Sequence, residues 1–220
     1  MFENFDFEII VTSIPFLIEG MGLTLLLTVL AIIGGLALGT ILALCRLAPI
    51  KWLSFFAGSY VNFFRSMPLI LVIFWFYFLV PFIVRRPVGG FYSVLVAFIM
   101  FEAAYYCEIM RAGIQSVRQG QVYAGQALGL TYRQNMSYIV LPQAFRAMIP
   151  ILLTQAIILF QDTSLVYVVG LRDFLVAADI VANRDNRLIE MFLTVALVYF
   201  VMCLAGQLGI RKIQKRYATG

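Results

Sequence analysis

From Gly20 to Cys45 the chain carries no charged side chain and consists mainly of Leu, Ile, Val, Ala and Gly. A stretch of that length and polarity fits the ~30 Å hydrocarbon layer of a bilayer, where an unpaired backbone amide finds no water. The backbone must satisfy itself as helix, because continuous apolar runs lack the alternation of a barrel strand. The whole chain follows suit: 63% of its 220 residues are hydrophobic and 12% charged, against roughly 25% charged in water-soluble domains. At about 20 residues per crossing, six or seven crossings are the most that fit, and no room remains for an added soluble domain of ~100 residues. The expectation is an all-α membrane protein with a single transmembrane domain over residues 1–220.

Charge and glycine punctuation divide the chain into five predicted spans, at residues 20–45, 61–84, 91–111, 147–171 and 191–210. The second ends at Arg85, Arg86 and Pro87, and Gly89 and Gly90 precede the third. Glu3, Asp6, Glu8 and Glu19 come before the first span, where a signal peptide needs a basic region, so this span is expected to stay attached. Gly35 and Gly39 have the small-xxx-small spacing of closely packed helices, serving either this chain or a subunit contact.

With five crossings the termini lie on opposite sides, and the basic residues choose between them. A cytoplasmic carboxyl terminus places Arg46, Lys51, Arg111, Arg118, Arg133, Arg146, Arg211, Lys212, Lys215 and Arg216 inside. Arg85, Arg86, Arg172, Arg184 and Arg187 then lie outside, ten against five, with Arg65 near the inner boundary. The amino terminus is expected on the periplasmic side of a bacterial inner (plasma) membrane. This topology, with anionic membrane lipid as a partner, accounts for the net charge of +5 and requires no nucleic acid. Trp52, Tyr60, Tyr92, Tyr199 and Tyr217 fall near span ends, as an interfacial belt requires. Phe63, Phe64, Phe74, Trp75, Phe76, Tyr77 and Phe78 crowd the second span, where packing is expected over a ligand cage.

Several chemistries are removed outright. There is no histidine, and Cys45, Cys107 and Cys203 stand far apart in apolar surroundings, so zinc sites, histidine triads and disulfide frameworks are not expected. No glycine precedes a lysine, so a phosphate-binding P-loop cannot occur, and nucleotide energy must come from another chain. No catalytic residue, metal or cofactor is expected on this chain.

Between Arg111 and Arg146 the composition turns polar, with four arginines and six glutamines, and marks the longest extramembrane segment. Within it, residues 120–142 form a loop whose first half predicts a short amphipathic helix over Val122–Leu130, closed by a turn at Gly129. Such a helix is marginal alone and must pack on something, either its own bundle and the membrane surface or a partner.

This loop resembles the cytoplasmic EAA loop of the inner-membrane permeases of bacterial ABC importers. Ala124 matches the first alanine of that motif, Gly129 its glycine, and Ile139, Leu141 and Pro142 its closing I-x-L-P; Tyr123 replaces the glutamate and Gly125 the second alanine. Further segments are similar to the five-span polar amino-acid uptake permeases: Asn62 to Leu69, Phe101 to Val117, Leu141 to Pro150 and Phe160 to Val168, the last with Gln161 where many relatives carry lysine. Phe101 to Tyr106 and Gln161 to Tyr167 look most like the glutamate/aspartate import permeases. The resemblance implies a type I importer permease with five transmembrane helices and a short cytoplasmic coupling helix. It implies that Tyr123, Ala124, Gly125, Ala127, Leu128, Gly129, Leu141 and Pro142 engage a cytoplasmic ABC ATPase dimer that binds ATP-Mg. It also implies a second permease chain, identical or different, and a periplasmic amino-acid-binding protein. Leu141 and Pro142 are expected to fix how the segment re-enters the fourth span.

Ionisable groups inside a span are unfavourable by roughly 2.5 to 3.5 kcal/mol and call for a partner or a watery cavity. Asp162 is placed well inside the fourth span, with Gln155 seven residues earlier on the same face and Thr163 and Ser164 alongside. Glu102 is placed deep in the third, and Glu108 precedes Arg111 by three residues, a spacing that permits an ion pair at a helix end. Asp162, Glu102, Gln155, Thr163, Ser164 and Arg65 are the candidates for lining a substrate path, a role that stands beside plain hydrogen bonding between helices. A carboxylate such as Asp162 suits a substrate ammonium, and Arg65 an acidic substrate's extra charge. Two alternatives differ in class: an ion-coupled carrier or channel without an ATPase, using Asp162 and Glu102, and a membrane scaffold that recruits a cytoplasmic protein through Val122–Leu130.

Overall fold

The computed structural model describes residues 5–86 and 88–218, with side chains as far as Lys215; Glu3, Pro87 and the side chains of Arg216 and Tyr217 lie outside the described residues. Helix α1 runs over Phe7–Leu47. At 1.5 Å per residue its 41 residues reach about 60 Å, twice the hydrocarbon thickness. It starts well before Gly20, so Glu8 and Glu19 lie inside the helix rather than ahead of it. Charge marks how deep a residue can sit; the helix itself begins where the Asp6 carboxylate accepts the Glu8 amide at 2.9 Å.

The expected span 61–84 is two helical pieces. Helix α2 (Lys51–Arg65) is amphipathic, with Ala57, Val61 and Phe64 buried and Trp52, Phe55 and Phe56 exposed. It stops at Ser66-Met67-Pro68, because Pro68 lacks an amide and forces Met67 out of the helical region. The chain resumes as α3 (Leu69–Phe74), a π-turn (Trp75–Leu79) and α4 (Val80–Val84), at 105° to α2.

Helix α5 (Gly90–Gln115) is followed by short helices α6 (Gln119–Ala127) and α7 (Tyr132–Asn135), a second π-turn (Met136–Val140) and α8 (Leu141–Asp162). A 3-10 stretch, Thr163–Val169, ends at Gly170 with φ of +67°. Helix α9 (Phe174–Asp185) then precedes α10 (Leu188–Ala218). Among the described residues, four helical stretches are long and apolar enough to cross a membrane, and a fifth if α2 and the bent Leu69–Val84 stretch count as one. Among the described residues there is no strand.

Both π-turns stand directly before an X-Pro pair, Val80-Pro81 and Leu141-Pro142, and the Val80 and Leu141 amides bond five residues back, to Trp75 and Met136. A proline frees the carbonyl four residues earlier and its ring crowds that turn, so the helix widens by one residue instead of breaking. Leu141 and Pro142 therefore shape the helix by this widening and do not start it. They sit inside one helical run from Tyr132 to Val169.

The chain divides into two compact units. In the first (residues 1–32, 69–98 and 156–209), Leu17 packs with Phe174, Ala177, Ala178, Val181, Ala182, Met191 and Val195. A Cβ on Gly20 would stand 2.6 Å from the Asp173 carbonyl, so this glycine sets how closely α1 approaches α9. Asp173 caps α9 through Oδ1, which accepts the Val176 amide at 2.9 Å, and the Phe174 amide donates to Thr24 Oγ1 at 3.0 Å. Helix α9 was not expected, though Asp173 ahead of Phe-Leu-Val-Ala-Ala is an N-cap signal.

In the second unit (residues 33–68, 99–155 and 210–220), Gly35 and Gly39 bring α1 onto α5. Cβ atoms there would stand 3.0 Å from Glu102 Cβ and 2.8 Å from Tyr106 Cβ, so the small-xxx-small spacing serves packing within this chain. Tyr60 and Tyr199 are not belt residues. The Tyr60 hydroxyl donates to the Met100 carbonyl at 2.8 Å, and the Tyr199 hydroxyl is buried near Asp173. Trp52 and Tyr92 are exposed. Cys107 and Cys203 are buried and Cys45 half-buried, all as free thiols.

Asp173 lies between spans, fully buried, with Oδ2 unpartnered, and burial pushes its carboxyl up to about 6. A carboxyl raised in the folded state contributes stability that is complete below its ordinary value near 4 and lost as pH rises through 6. Asp173→Asn keeps the capping oxygen without the charge. Its thermal midpoint in detergent should match the parent near pH 4 and exceed it at pH 7.5, a gain of about 1 to 2 kcal/mol.

Candidate functional site

Helix α6 starts after Arg118 and closes with a Schellman turn: the Gly129 amide bonds the Gln126 carbonyl at 2.9 Å and the Leu130 amide the Gly125 carbonyl at 3.1 Å. Gly129 takes φ of +78°, which an L side chain resists. Two residues on, Thr131 and Gln134 form a reciprocal capping box that starts α7, the beginning of the run that contains Leu141-Pro142. The expected helix at Val122–Leu130 is thus nine residues, Gln119–Ala127, plus its closing turn.

Nine residues cannot hold a helix in water, and tertiary contacts supply the difference. Val122 and Met136 pack on a core of Val117, Val140, Ala144 and Met148. Gly125 is the buried point of α6, set against Asn135 and Ile139. The opposite face is open: Tyr123 is 63% exposed and Leu128 81%, and Ala124 and Ala127 are exposed too. Of the I-x-L-P residues, Ile139 and Leu141 are half-buried and Pro142 exposed. The exposed face of α6 is thus an apolar patch whose C-terminal end is held by the Gly129 turn and the Thr131 capping box.

In the second unit Glu108 anchors an ion-pair cluster. Glu108 bonds Arg111 on its own helix and Arg46 at the end of α1, extending the expected pair across helices. Arg46 was not anticipated, although a cation in the last turn of α1 is its sequence signal. Glu102 is fully buried, and Gln155 Nε2 donates to both its oxygens, at 3.1 and 3.2 Å. Arg65, at the end of α2, lies 5.5 Å from the centre of the Tyr105 ring.

In the first unit, Asp162 is the last residue of α8 and half-buried. Its helix continues past it as the 3-10 stretch Thr163–Val169, within the same apolar run Tyr132–Val169. Thr163 and Ser164 turn their hydroxyls back to the Phe160 and Gln161 carbonyls, at 2.6 and 2.8 Å, and so satisfy the α8 terminus. The structure thus brings Glu102 to Gln155 and keeps Asp162, Thr163 and Ser164 contiguous. No group of three or more His, Cys, Asp or Glu suited to a metal occurs among the described residues.

Replacing Gly129 by Ala should strain the Schellman turn by about 1 to 2 kcal/mol. Amide exchange should rise in Gln126–Leu130 while the α8 and α10 amides stay protected.

Residues 35–219 match the family described as binding-protein-dependent transport system inner membrane component. The chain is 49% identical over 228 residues to the glutamate/aspartate import permease protein GltK of Escherichia coli, covering 99% of this chain and 100% of that one. It is 34% identical over 201 residues to the arginine transport system permease protein ArtQ of Bacillus subtilis, covering 91% and 92%. A chain in the crystal structure of an amino acid ABC transporter with histidines superimposes with a TM-score of 0.92 at 32% identity, covering 96% of this chain and 98% of that one.

Proposed function

Because the chain belongs to the family of binding-protein-dependent transport system inner membrane components, we propose that it is the multi-pass permease subunit of an ATP-driven importer for glutamate, aspartate or another polar amino acid. The near half identity to the glutamate/aspartate permease supports the substrate class. ATP-Mg is bound and hydrolysed by a separate ATPase pair, and this chain contributes no covalent chemistry. A second permease chain and a periplasmic binding protein complete the assembly, with the amino terminus periplasmic and the carboxyl terminus cytoplasmic, as the basic-residue count favours.

The observation that carries this proposal is the exposed α6 knob, with Tyr123 and Leu128 open to solvent and its carboxyl-terminal end held by the Gly129 turn and the Thr131 capping box. Docked in a cleft of the ATPase, it transmits closure of the ATPase pair into the helical run Tyr132–Val169, which reaches Gln155, Asp162, Thr163 and Ser164 without a break. Those residues, with Glu102 and Arg65, line the path in this proposal. Asp162 receives the substrate ammonium. The Gln155 amide already engages Glu102, so this carboxylate is held in place rather than left to repel an anion.

Vesicles containing the permease, ATPase and binding protein should accumulate labelled glutamate or aspartate uphill only with ATP. Uptake driven by an ion gradient alone would exclude the importer. Gly129→Asp should insert normally and bind the ATPase about ten-fold or more weakly, since 1.4 kcal/mol of lost contact is tenfold. Asp162→Asn should lower uptake about ten-fold with assembly intact, the scale of one hydrogen bond to a charged group; unchanged uptake would remove Asp162 from the path.

A further inference from the structure

Asn135 is 97% removed from solvent, although it lies in a polar segment outside the apolar runs. Its Nδ2 donates to the Val122 carbonyl at 2.8 Å, thirteen residues back, in the middle of α6. Only the nitrogen end of the amide can face that carbonyl, since two oxygens would repel. The orientation turns Oδ1 onto the Gly125 backbone, where it has no conventional hydrogen-bond partner. A Cβ on residue 125 would meet Oδ1 at 2.6 Å and Ile139 Cδ1 at 2.6 Å. The missing side chain at Gly125, where the motif has alanine, is therefore the seat of Asn135. One turn away, the Asn135 amide N–H bonds the Thr131 carbonyl at 2.8 Å, so the anchor sits in the first turn of the run leading to Gln155 and Asp162.

We propose that Asn135 is the positioning residue of the coupling knob, a pin that locks α6 to the Tyr132–Val169 run so that displacement of α6 moves that run without slack. The inference rests on the importer assignment for its consequence, while the pin itself is a property of this chain alone. Loss of the second hydrogen bond to the Val122 carbonyl, which also serves α6 internally, and a cavity at position 135 would let α6 rock on its base. Gly125 and Asn135 then form a matched pair: alanine at 125 collides with asparagine at 135, and alanine at both removes the collision with Oδ1.

The test is a double-mutant cycle of Gly125→Ala, Asn135→Ala and the pair, read two ways. In the permease alone, amide exchange over Gln121–Leu130 should speed up about 2- to 10-fold in each single variant, the scale of one buried hydrogen bond. The double variant should come close to the larger single effect, well short of the product. In vesicles with ATPase and binding protein, Asn135→Ala should raise the ATP consumed per amino acid accumulated about 2-fold or more, counted per assembled complex. A residue that merely aids folding would lower the yield of complex and leave that ratio unchanged.

Parental exchange together with a parental ATP ratio in Asn135→Ala, or strictly multiplicative effects in the pair, would overturn the pin while leaving the importer assignment standing. A parental complex that hydrolyses ATP without uphill uptake would overturn the importer assignment, and the exchange cycle would still decide the pin.

Discussion

A hydrocarbon layer offers no water, so each polar atom that enters it must be met by another atom of the protein. This constraint shapes the second unit. Gly35 and Gly39 let α1 lie against α5, and the same closeness seals Glu102 beneath α1. A carboxylate sealed in that way needs a donor, and Gln155 of α8 supplies one to both oxygens. The Glu108 carboxylate is answered by two guanidiniums, one from its own helix and one from α1. Removing one partner of such a group strands the other, which is why these contacts fix helix registry more than they add net stability.

Where the helices deviate, they do so at prolines and keep their bonds. Pro81 and Pro142 each follow a π-turn that absorbs the lost hydrogen bond, whereas Pro68 ends a helix and turns the chain by 105°. The difference lies in what precedes them. The Ser66 and Met67 amides bond back to Asn62, Phe63 and Phe64 and close α2, while the apolar runs ahead of Pro81 and Pro142 stay helical.

The exposed helix α6 obeys the opposite solvent rule. In water a nine-residue helix gains too little from its own hydrogen bonds, so α6 depends on a left-handed glycine at one end, a capping box just beyond it, and an asparagine seated on a bare glycine beneath. The exposed face thereby becomes rigid without being buried. Rigidity of that kind is what a mechanical contact requires, because a loose knob would absorb a partner's motion instead of passing it on.

The sequence by itself determined the membrane setting, the helical class, the polar segment and its Gly129 turn, since each follows from solvent polarity or from a backbone conformation open mainly to glycine. Helix ends were less legible. A proline by itself does not tell a chain that turns at Pro68 from a helix that widens at Pro142, and an acidic residue such as Glu19 does not reveal that its helix began at Phe7. Tertiary structure alone decided the long-range pairs: Gln155 with Glu102, Arg46 with Glu108, and Asn135 with Val122 and Gly125. The hydrogen-bonded partners lie 13 to 62 residues apart, and their meeting depends on how closely two backbones approach: a small-residue pattern such as Gly35-xxx-Gly39 permits that approach without naming the partner.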